Sequence, residues 1–600
     1  MTTSEKGNPA NLEKLNANLA RIETLTQRLV AAFARKQPQR SELQAPDPSI
    51  YLRAASAYWT EMVQNPSKIL EHQIGYWGKT LKHFVEAQEA LRDGTLTAPE
   101  DNTPDDRRFS NPLWKTHPYF NYIKQQYLLS SQAIDEAIAS LDALDPREKR
   151  RLEYFGKQIV DMMAPTNFLG TNPDALMKAV ETEGESLVRG LENLVRDIEA
   201  NDGELLVTLA DRDAFKVGSN IATTEGAVVF RNRMFELIQY APTTEKVHAT
   251  PLLIFPPWIN KFYILDLKAQ NSLIKWIVDQ GFTLFVVSWV NPDASYADVG
   301  MDEYVKEGYL EAIAKVKEIC GVKAINAIGY CIAGTTLALT LALMDKRKDR
   351  SIKSATFFTT LTDFSDRGEV GVFLEDDFVD GIEAEVAESG ILKSYYMTKT
   401  FSYLRSNDLI YGPAIRSYML GEAPPAFDLL YWNGDGTNLP GKMAVEYLRG
   451  LCRQDRFATG TFPVCGEEVS ITGVKVPLCA IACETDHIAA WKSSMRGMAK
   501  MGSKDKTFLL SQSGHVAGVV NPPSKKKYGH YTGGTPLAEP DDWLASAEFH
   551  EGSWWPRWGE WLRERSGKLI AARELPDSSL GPAPGTYVVA QPNVQNQPLG

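Results

Sequence analysis

At 600 residues, with 44% apolar and 23% charged side chains, the chain can bury a sizeable core, and its composition excludes a disordered or membrane class. A formal net charge of −12 at pH 7 argues against nucleic acid as the main partner. The opening MTTSEKGNPA is polar, no apolar h-region follows, and no run is long enough for a bilayer, so neither a secretory leader nor a transmembrane segment is expected. Six cysteines (Cys320, Cys331, Cys452, Cys465, Cys479, Cys483) lack finger-like or ribbon-like spacing, so reduced thiols in a cytoplasm are expected, with no metal site.

Residues 1–45 read as an accessory amphipathic helix and linker. Leu12, Leu15, Leu19, Ile22, Leu29 and Phe33 fall at 3/4 spacing, broken by Thr26, on a helix that stops before Gln37-Pro38. Such a helix either packs on its own protein or docks on a partner or apolar surface. Residues 46–204 read as a helical N-terminal domain with polar breaks such as Asp93–Asp106. The aromatic-dense stretch Asp106–Gln132, with Trp114, Tyr119, Phe120, Tyr122 and Tyr127, is expected as core or interface.

From about 205 the pattern changes to strand–helix alternation, the mark of an α/β domain with a mainly parallel sheet. Strands are expected at Ala227–Arg231, Phe235–Tyr240, Pro251–Phe255, Phe282–Ser288, Ala324–Ile328 and Ser354–Thr359, with a helix over about 301–320. Alternation is lost over 365–455, where aromatics crowd, and resumes with Val476–Ala482, a helix near 490–501 and Thr507–Leu510. Trp554, Trp555, Trp558 and Trp561 predict a packed terminal helix. The tail 576–600, rich in Pro, Gly, Asn and Gln, is expected to be ordered only where it lies on the body.

The chemistry is concentrated at Gly329-Tyr330-Cys331-Ile332-Ala333-Gly334, between an apolar strand and the Ala/Leu-rich helix Thr335–Met344. A nucleophile among small residues at a strand-to-helix turn is the logic of the nucleophile elbow. Small neighbours let the backbone bend sharply, so the side chain stands above the sheet. Downstream, Asp486 follows a late strand and His515 follows the last one, which reproduces the order nucleophile, acid, histidine. His487, beside Asp486, cannot readily be oriented by it and is read as capping or packing. In this order the chain reads as an α/β-hydrolase fold, core residues 205–364 and 456–575, with 365–455 inserted as a cap over the site.

The residue types fit the chemistry. A free thiol has a pKa near ~8.5, so an imidazole must take its proton, and Asp486 would hold that imidazole's tautomer and stabilise its cation. The Ile332 N–H and one from Ile259 or Asn260 would hold the oxyanion. Attack of a thiolate on a thioester yields another thioester, so cysteine tilts the reading from hydrolase to acyltransferase.

With these residues assembled, the sequence resembles the class I polyhydroxyalkanoate synthases over roughly residues 50–590. The resemblance rests on PPWINKFYILDL (256–267), SWVNPD (288–293), GYCIAGT (329–335), DLLYWNGDGTNLP (428–440), ETDHIAAW (484–491), SGHVAGVVNP (513–522) and GSWWPRWGEWL (552–562). The family's catalytic Cys, Asp and His fall on Cys331, Asp486 and His515. The chain departs from the family at Ala333, where a glycine is usual, and at Ala490, where proline is frequent. The resemblance implies polymerisation of (R)-3-hydroxyacyl-CoA, 3-hydroxybutyryl-CoA in particular, with coenzyme A carried in on the substrate and released, and no other cofactor. It also implies a growing polyester chain, a homodimer, location at polymer granules in a bacterial cytoplasm, and contact with granule-associated proteins through the N-terminal region. A thiol-dependent hydrolase or thioesterase passing the acyl group to water is the alternative. A granule-coating protein with a vestigial site is disfavoured, because all three triad residues are present.

Overall fold

The computed structural model describes residues 9–34, 54, 56–57, 75–76, 78–82 and 105–590, the last stretch without 143, 202, 537–538 and 577–578. Most of the helical reading for 46–104, and the break at Asp93–Asp106 up to residue 104, lie outside the described residues. Two compact units emerge: Met1–Asp211 with Phe401–Pro425, and Arg212–Thr400 with Ala426–Gly600. The single insertion expected over 365–455 is therefore divided. Residues 401–425 belong with the helical unit, where Asn193 donates to the carbonyls of Ser417 and Glu422, and Tyr418 donates to Asp197. Gly190 makes that approach possible, since a Cβ there would meet the Tyr418 carbonyl at 2.0 Å. Periodicity cannot reveal such a partner choice. No helix among the described residues is long and apolar enough to cross a membrane.

The helical unit contains α1 (Pro9–Phe33), α2 (Pro118–Ala139), α3 (Pro146–Met162) and α4 (Glu185–Ala200). Proline at the first helical position starts α2 and α3, and the Asp145 carboxylate caps α3 by accepting from Arg147 N–H. The α1 helix is fixed to α4 by its charged side: Arg21 reaches Glu185 and Glu192, and Arg28 reaches Glu199. Its Leu19, Ile22, Val30 and Phe33 stay exposed, while Leu25 is buried; the Leu12 and Leu15 side chains lie outside the described residues. The aromatic stretch splits between both expected fates. Trp114 and Phe120 are buried in edge-on contact at 5.7 Å, and Tyr119 is exposed.

The second unit is built on a ten-stranded sheet. Its strands are β1 (Gly226–Arg231), β2 (Phe235–Tyr240), β3 (Leu252–Phe255), β4 (Leu284–Trp289), β5 (Ile325–Tyr330), β6 (Ile352–Phe358), β7 (Leu478–Cys483), β8 (Lys506–Ser511), β9 (His530–Thr532) and β10 (Glu548–His550). In space the order is β1-β2-β4-β3-β5-β6-β7-β8-β9-β10. The six from β4 to β8 in that order are parallel neighbours, and antiparallel strands border them on both sides. The parallel strands read as continuous apolar runs because helices cover both faces. His515 thus follows the last parallel strand, not the last strand as expected. The pair β9 and β10 has three residues in each strand and carries too little period-2 pattern to be read from sequence. The helix expected over 301–320 is a π-helix over Tyr304–Leu310 continued by an α-helix over Glu311–Cys320.

Three helices bear on the chemistry: α5 (Ile332–Lys346), α6 (Trp491–Lys500) and α7 (Trp555–Glu564). The α5 helix is almost wholly buried, so it carries no polar stripe. The expected terminal helix is α7, preceded by Trp554. Two of its indoles are spent on specific acceptors: Trp555 Nε1 donates to Val519 O at 2.9 Å and Trp558 Nε1 to Thr356 Oγ1 at 3.1 Å. Beyond it, residues 579–590 lie on the body, where the buried Glu236 carboxylate accepts from the N–H groups of Thr586 and Tyr587. Trp558 is fully buried against Phe358 and Trp276. Trp558→Ala is expected to lower unfolding free energy by about 3–5 kcal/mol through the cavity it leaves, read from the urea midpoint.

Candidate active site

Cys331 stands between β5 and α5, as the N-cap of the helix, with φ 55° and ψ −126°. This backbone conformation is rare for a residue with a Cβ and costs on the order of 1–3 kcal/mol. It persists because the neighbours over-determine it. The Cys331 N–H donates to Phe358 O at 2.8 Å, prolonging the sheet by one rung. A Cβ on Gly329 would meet Gly334 Cα at 2.5 Å, and one on Gly334 would meet Thr360 Oγ1 at 2.0 Å. Strand and helix therefore cross closer than any side chain permits. Ala333 is fully buried yet accommodated, and its carbonyl accepts from Tyr309 OH at 2.8 Å.

Asp486 lies in the turn after β7. Its Oδ1 accepts from the N–H groups of Ile488 and Ala489 at 2.8 and 2.9 Å, which leaves Oδ2 free to accept from His515 Nδ1 at 2.7 Å. The turn is locked to the histidine loop by Glu484 N–H to Ser511 O and Thr485 N–H to Ser513 O. Ala490 caps α6 at φ −50°, inside the range that proline imposes, so the loop keeps that conformation without the proline. His487 is half-buried, and the carboxylate beside it turns to His515 instead.

His515 joins the three. With Nδ1 donating to Asp486, its other ring nitrogen is left for the Cys331 sulfur, which acts on the imidazole electrostatically. Burial disfavours the imidazolium, but the Asp486 carboxylate and the Cys331 sulfur outweigh it and hold the imidazole well above its ordinary pKa. Burial pushes the other thiols away from ionisation: Cys320 up to about 11, and Cys452, Cys465, Cys479 and Cys483 also upward. Cys331 is the half-buried thiol paired with an imidazole.

Of the expected oxyanion donors, Ile332 opens α5, where first-turn N–H groups have no intrahelical acceptor. Ile259 and Asn260 lie on the loop after β3. That loop is bridged to the insertion: Asn260 pairs antiparallel with Gly436, and Ile259 O accepts from Thr437 N–H at 3.0 Å.

Comparison with known proteins places this arrangement. Residues 105–277 match the family model described as "Poly-beta-hydroxybutyrate polymerase (PhaC) N-terminus", and residues 251–522 match the model of the alpha/beta hydrolase fold. A poly(3-hydroxyalkanoate) polymerase of Methylorubrum extorquens is 42% identical, over 88% of this chain and 87% of its own. The corresponding polymerase subunit of Cupriavidus necator is 39% identical, over 87% and 90%, and that of Rhizobium etli 38%, over 96% and 92%. The chain belongs to the poly(3-hydroxyalkanoate) polymerase family. It is an enzyme of the acyltransferase kind on an α/β-hydrolase fold.

The candidate site contains residues that sequence reasoning left without a role. Tyr330 stacks on the His515 ring, centroids 5.9 Å apart, and its OH donates to the His515 carbonyl at 3.4 Å. Its signal was adjacency to the nucleophile. Tyr447, on the π-helix Glu446–Arg453, reaches the side chains of Thr335 and Cys452. Burial, then Cys452 and Cys331, hold its phenol well above the ordinary value, so it stays a neutral donor. Nothing in its local sequence announces that place.

Two outcomes follow from this geometry. Gly329→Ala must open the strand–helix crossing, and a stability loss of about 1–3 kcal/mol is expected in chemical denaturation, together with loss of activity. Asp486→Asn removes the charge that raises His515. A rate loss on the order of 10²–10⁴ is expected, as for other triads stripped of their acid. In a reaction run by this pair, the alkaline limb would mark loss of the His515 proton. That limb should move to lower pH in the variant, read from the pH profile of turnover.

Proposed function

We propose that the polymerase extends polyester through an acyl thioester on Cys331, taking (R)-3-hydroxyacyl units, 3-hydroxybutyryl in particular, from coenzyme A. The observation that carries this reading is His515, held by Asp486 at 2.7 Å and electrostatically coupled to the sulfur at the elbow. His515 takes the Cys331 proton, and the thiolate attacks the thioester carbonyl. The oxyanion forms near the Ile332 N–H and a donor from the Ile259–Asn260 loop. The C–S bond to coenzyme A breaks, and the leaving thiolate takes the proton from the imidazolium. In the second half, a hydroxyl of another hydroxyacyl unit gives its proton to His515 and attacks the Cys331 thioester. An ester bond forms as the cysteine sulfur leaves.

Cysteine suits the task. The intermediate remains a thioester, so the step to an oxygen ester runs downhill, whereas a serine ester would lose that drive. Asp486 stabilises the imidazolium in each half-reaction without taking the proton itself. No cofactor enters this scheme, since coenzyme A arrives on the substrate and departs. The reading extends to a homodimer at the surface of polyester granules in a bacterial cytoplasm, with the N-terminal region meeting granule-associated proteins. The exposed Leu19, Val30 and Phe33 of α1 support that last part.

The test is incubation with (R)-3-hydroxybutyryl-CoA, following free thiol and product together. Insoluble polyester with coenzyme A release is expected, and Cys331→Ala should release none. Monomeric 3-hydroxybutyrate as the sole product would instead mark a thioesterase, and substantial turnover by Cys331→Ala would remove the sulfur as nucleophile.

A further inference from the structure

The loop that follows the His515 turn carries Lys525, Lys526 and Lys527 in succession, all exposed, in a protein of net charge −12. Among the described residues none of the three is paired with a carboxylate, although most other cations of this unit near acids are. The loop is not loosely hung. Gln512 N–H donates to Gly529 O at 2.9 Å, Gly529 N–H donates to Gln512 Oε1 at 2.9 Å, and Asn521 Nδ2 donates to Tyr528 O at 3.0 Å. Tyr528 lies near enough to Ser513 to feel it electrostatically, and Ser513 is two residues from the imidazole and sits at φ 77°. Lys527 folds over the Tyr528 ring at 5.0 Å, and the neighbouring Ser513 and Lys527 hold that phenol below its ordinary pKa. Three uncompensated cations are thus welded to the segment that carries the base.

We propose that Lys525, Lys526 and Lys527 form an anion subsite for the phosphate groups of the acyl donor's nucleotide. The inference rests on the functional reading above, because it supposes a thioester carried on coenzyme A. The donor's negative charge lies at its nucleotide end, separated from the thioester by an uncharged pantetheine arm. A cation cluster fixed to the catalytic loop but standing outside the buried triad meets that end of the molecule while the thioester meets Cys331. Flexible exposed lysines suit phosphates, which need charge more than fixed fork geometry.

The experiment compares two donors, (R)-3-hydroxybutyryl-CoA and the phosphate-free S-(3-hydroxybutyryl)pantetheine, in the full-length protein. Exposed charge pairs contribute a few-fold each, so replacing all three lysines by Gln is expected to raise KM for the CoA thioester about 10- to 100-fold. The preference in kcat/KM for the CoA donor should shrink by the same factor, and KM should lose most of its salt dependence. Lys323→Gln with Lys353→Gln removes two exposed charges at the opposite end of the sheet and should leave that preference intact. An unchanged preference in the triple variant overturns the proposal, as does an equal rise in KM for both donors. Direct titration with adenosine 3′,5′-bisphosphate separates this from the functional reading. Binding that weakens at least about tenfold in the triple variant supports the subsite whatever the turnover, and absence of binding to the unaltered protein overturns it.

Discussion

The contact on which the site depends is the approach of β5 to α5 where Gly329 faces Gly334 and Gly334 faces Thr360. Packed interiors do not deform continuously, so a crossing this tight has one arrangement. It forces the intervening residue into a left-handed conformation and lifts its side chain off the sheet. The Cys331 N–H still pairs with Phe358 O, so the nucleophile's backbone is registered to the neighbouring strand up to its own residue. The position of the sulfur is therefore set by the sheet, with little left to side-chain freedom. Such preorganisation is what a near-attack geometry requires.

The second constraint is electrostatic. Asp486 and His515 are both buried, where an unpaired charge is costly and a paired one interacts strongly. The carboxylate is held by two backbone N–H groups and the imidazole, so its charge is compensated and its direction fixed. With His515 raised above its ordinary value, its contribution to folding is complete below the unfolded pKa of about 6.5 and is lost as pH rises through the higher folded value.

How much of this was legible follows from the range of the interactions involved. The strands around the elbow are apolar runs bounded by turn residues, and their positions in the structure differ from the sequence reading by at most two residues at an end. The triad was legible because chain order on a parallel sheet brings the ends of β5, β7 and β8 to one edge. What escaped were features decided by distant partners. The assignment of 401–425 to the helical unit turns on Tyr418 meeting Gly190, and β9 and β10 exist only because β8 offers them an edge. Tyr447 is similar: its residue type is common, and only its place beside Thr335 makes it part of the site.

The same reasoning explains why two motifs that look independent in the sequence are one device. PPWINKFYILDL supplies the loop expected to complete the oxyanion hole, and DLLYWNGDGTNLP lies in the insertion. In the fold they are stitched together. Trp432 Nε1 donates to Lys261 O at 2.7 Å, Thr437 N–H to Ile259 O at 3.0 Å, and Tyr263 OH to Asp435 Oδ2 at 2.8 Å. Burial lowers the Lys261 ammonium and raises the Asp435 carboxyl, and in each the charge of the other opposes the shift. Neither group is well placed alone in that environment, so each stabilises the other in its segment. By fixing the carbonyls of Ile259 and Lys261 the insertion sets the peptide planes of the loop, and with them the direction of the N–H groups on which an oxyanion would rely.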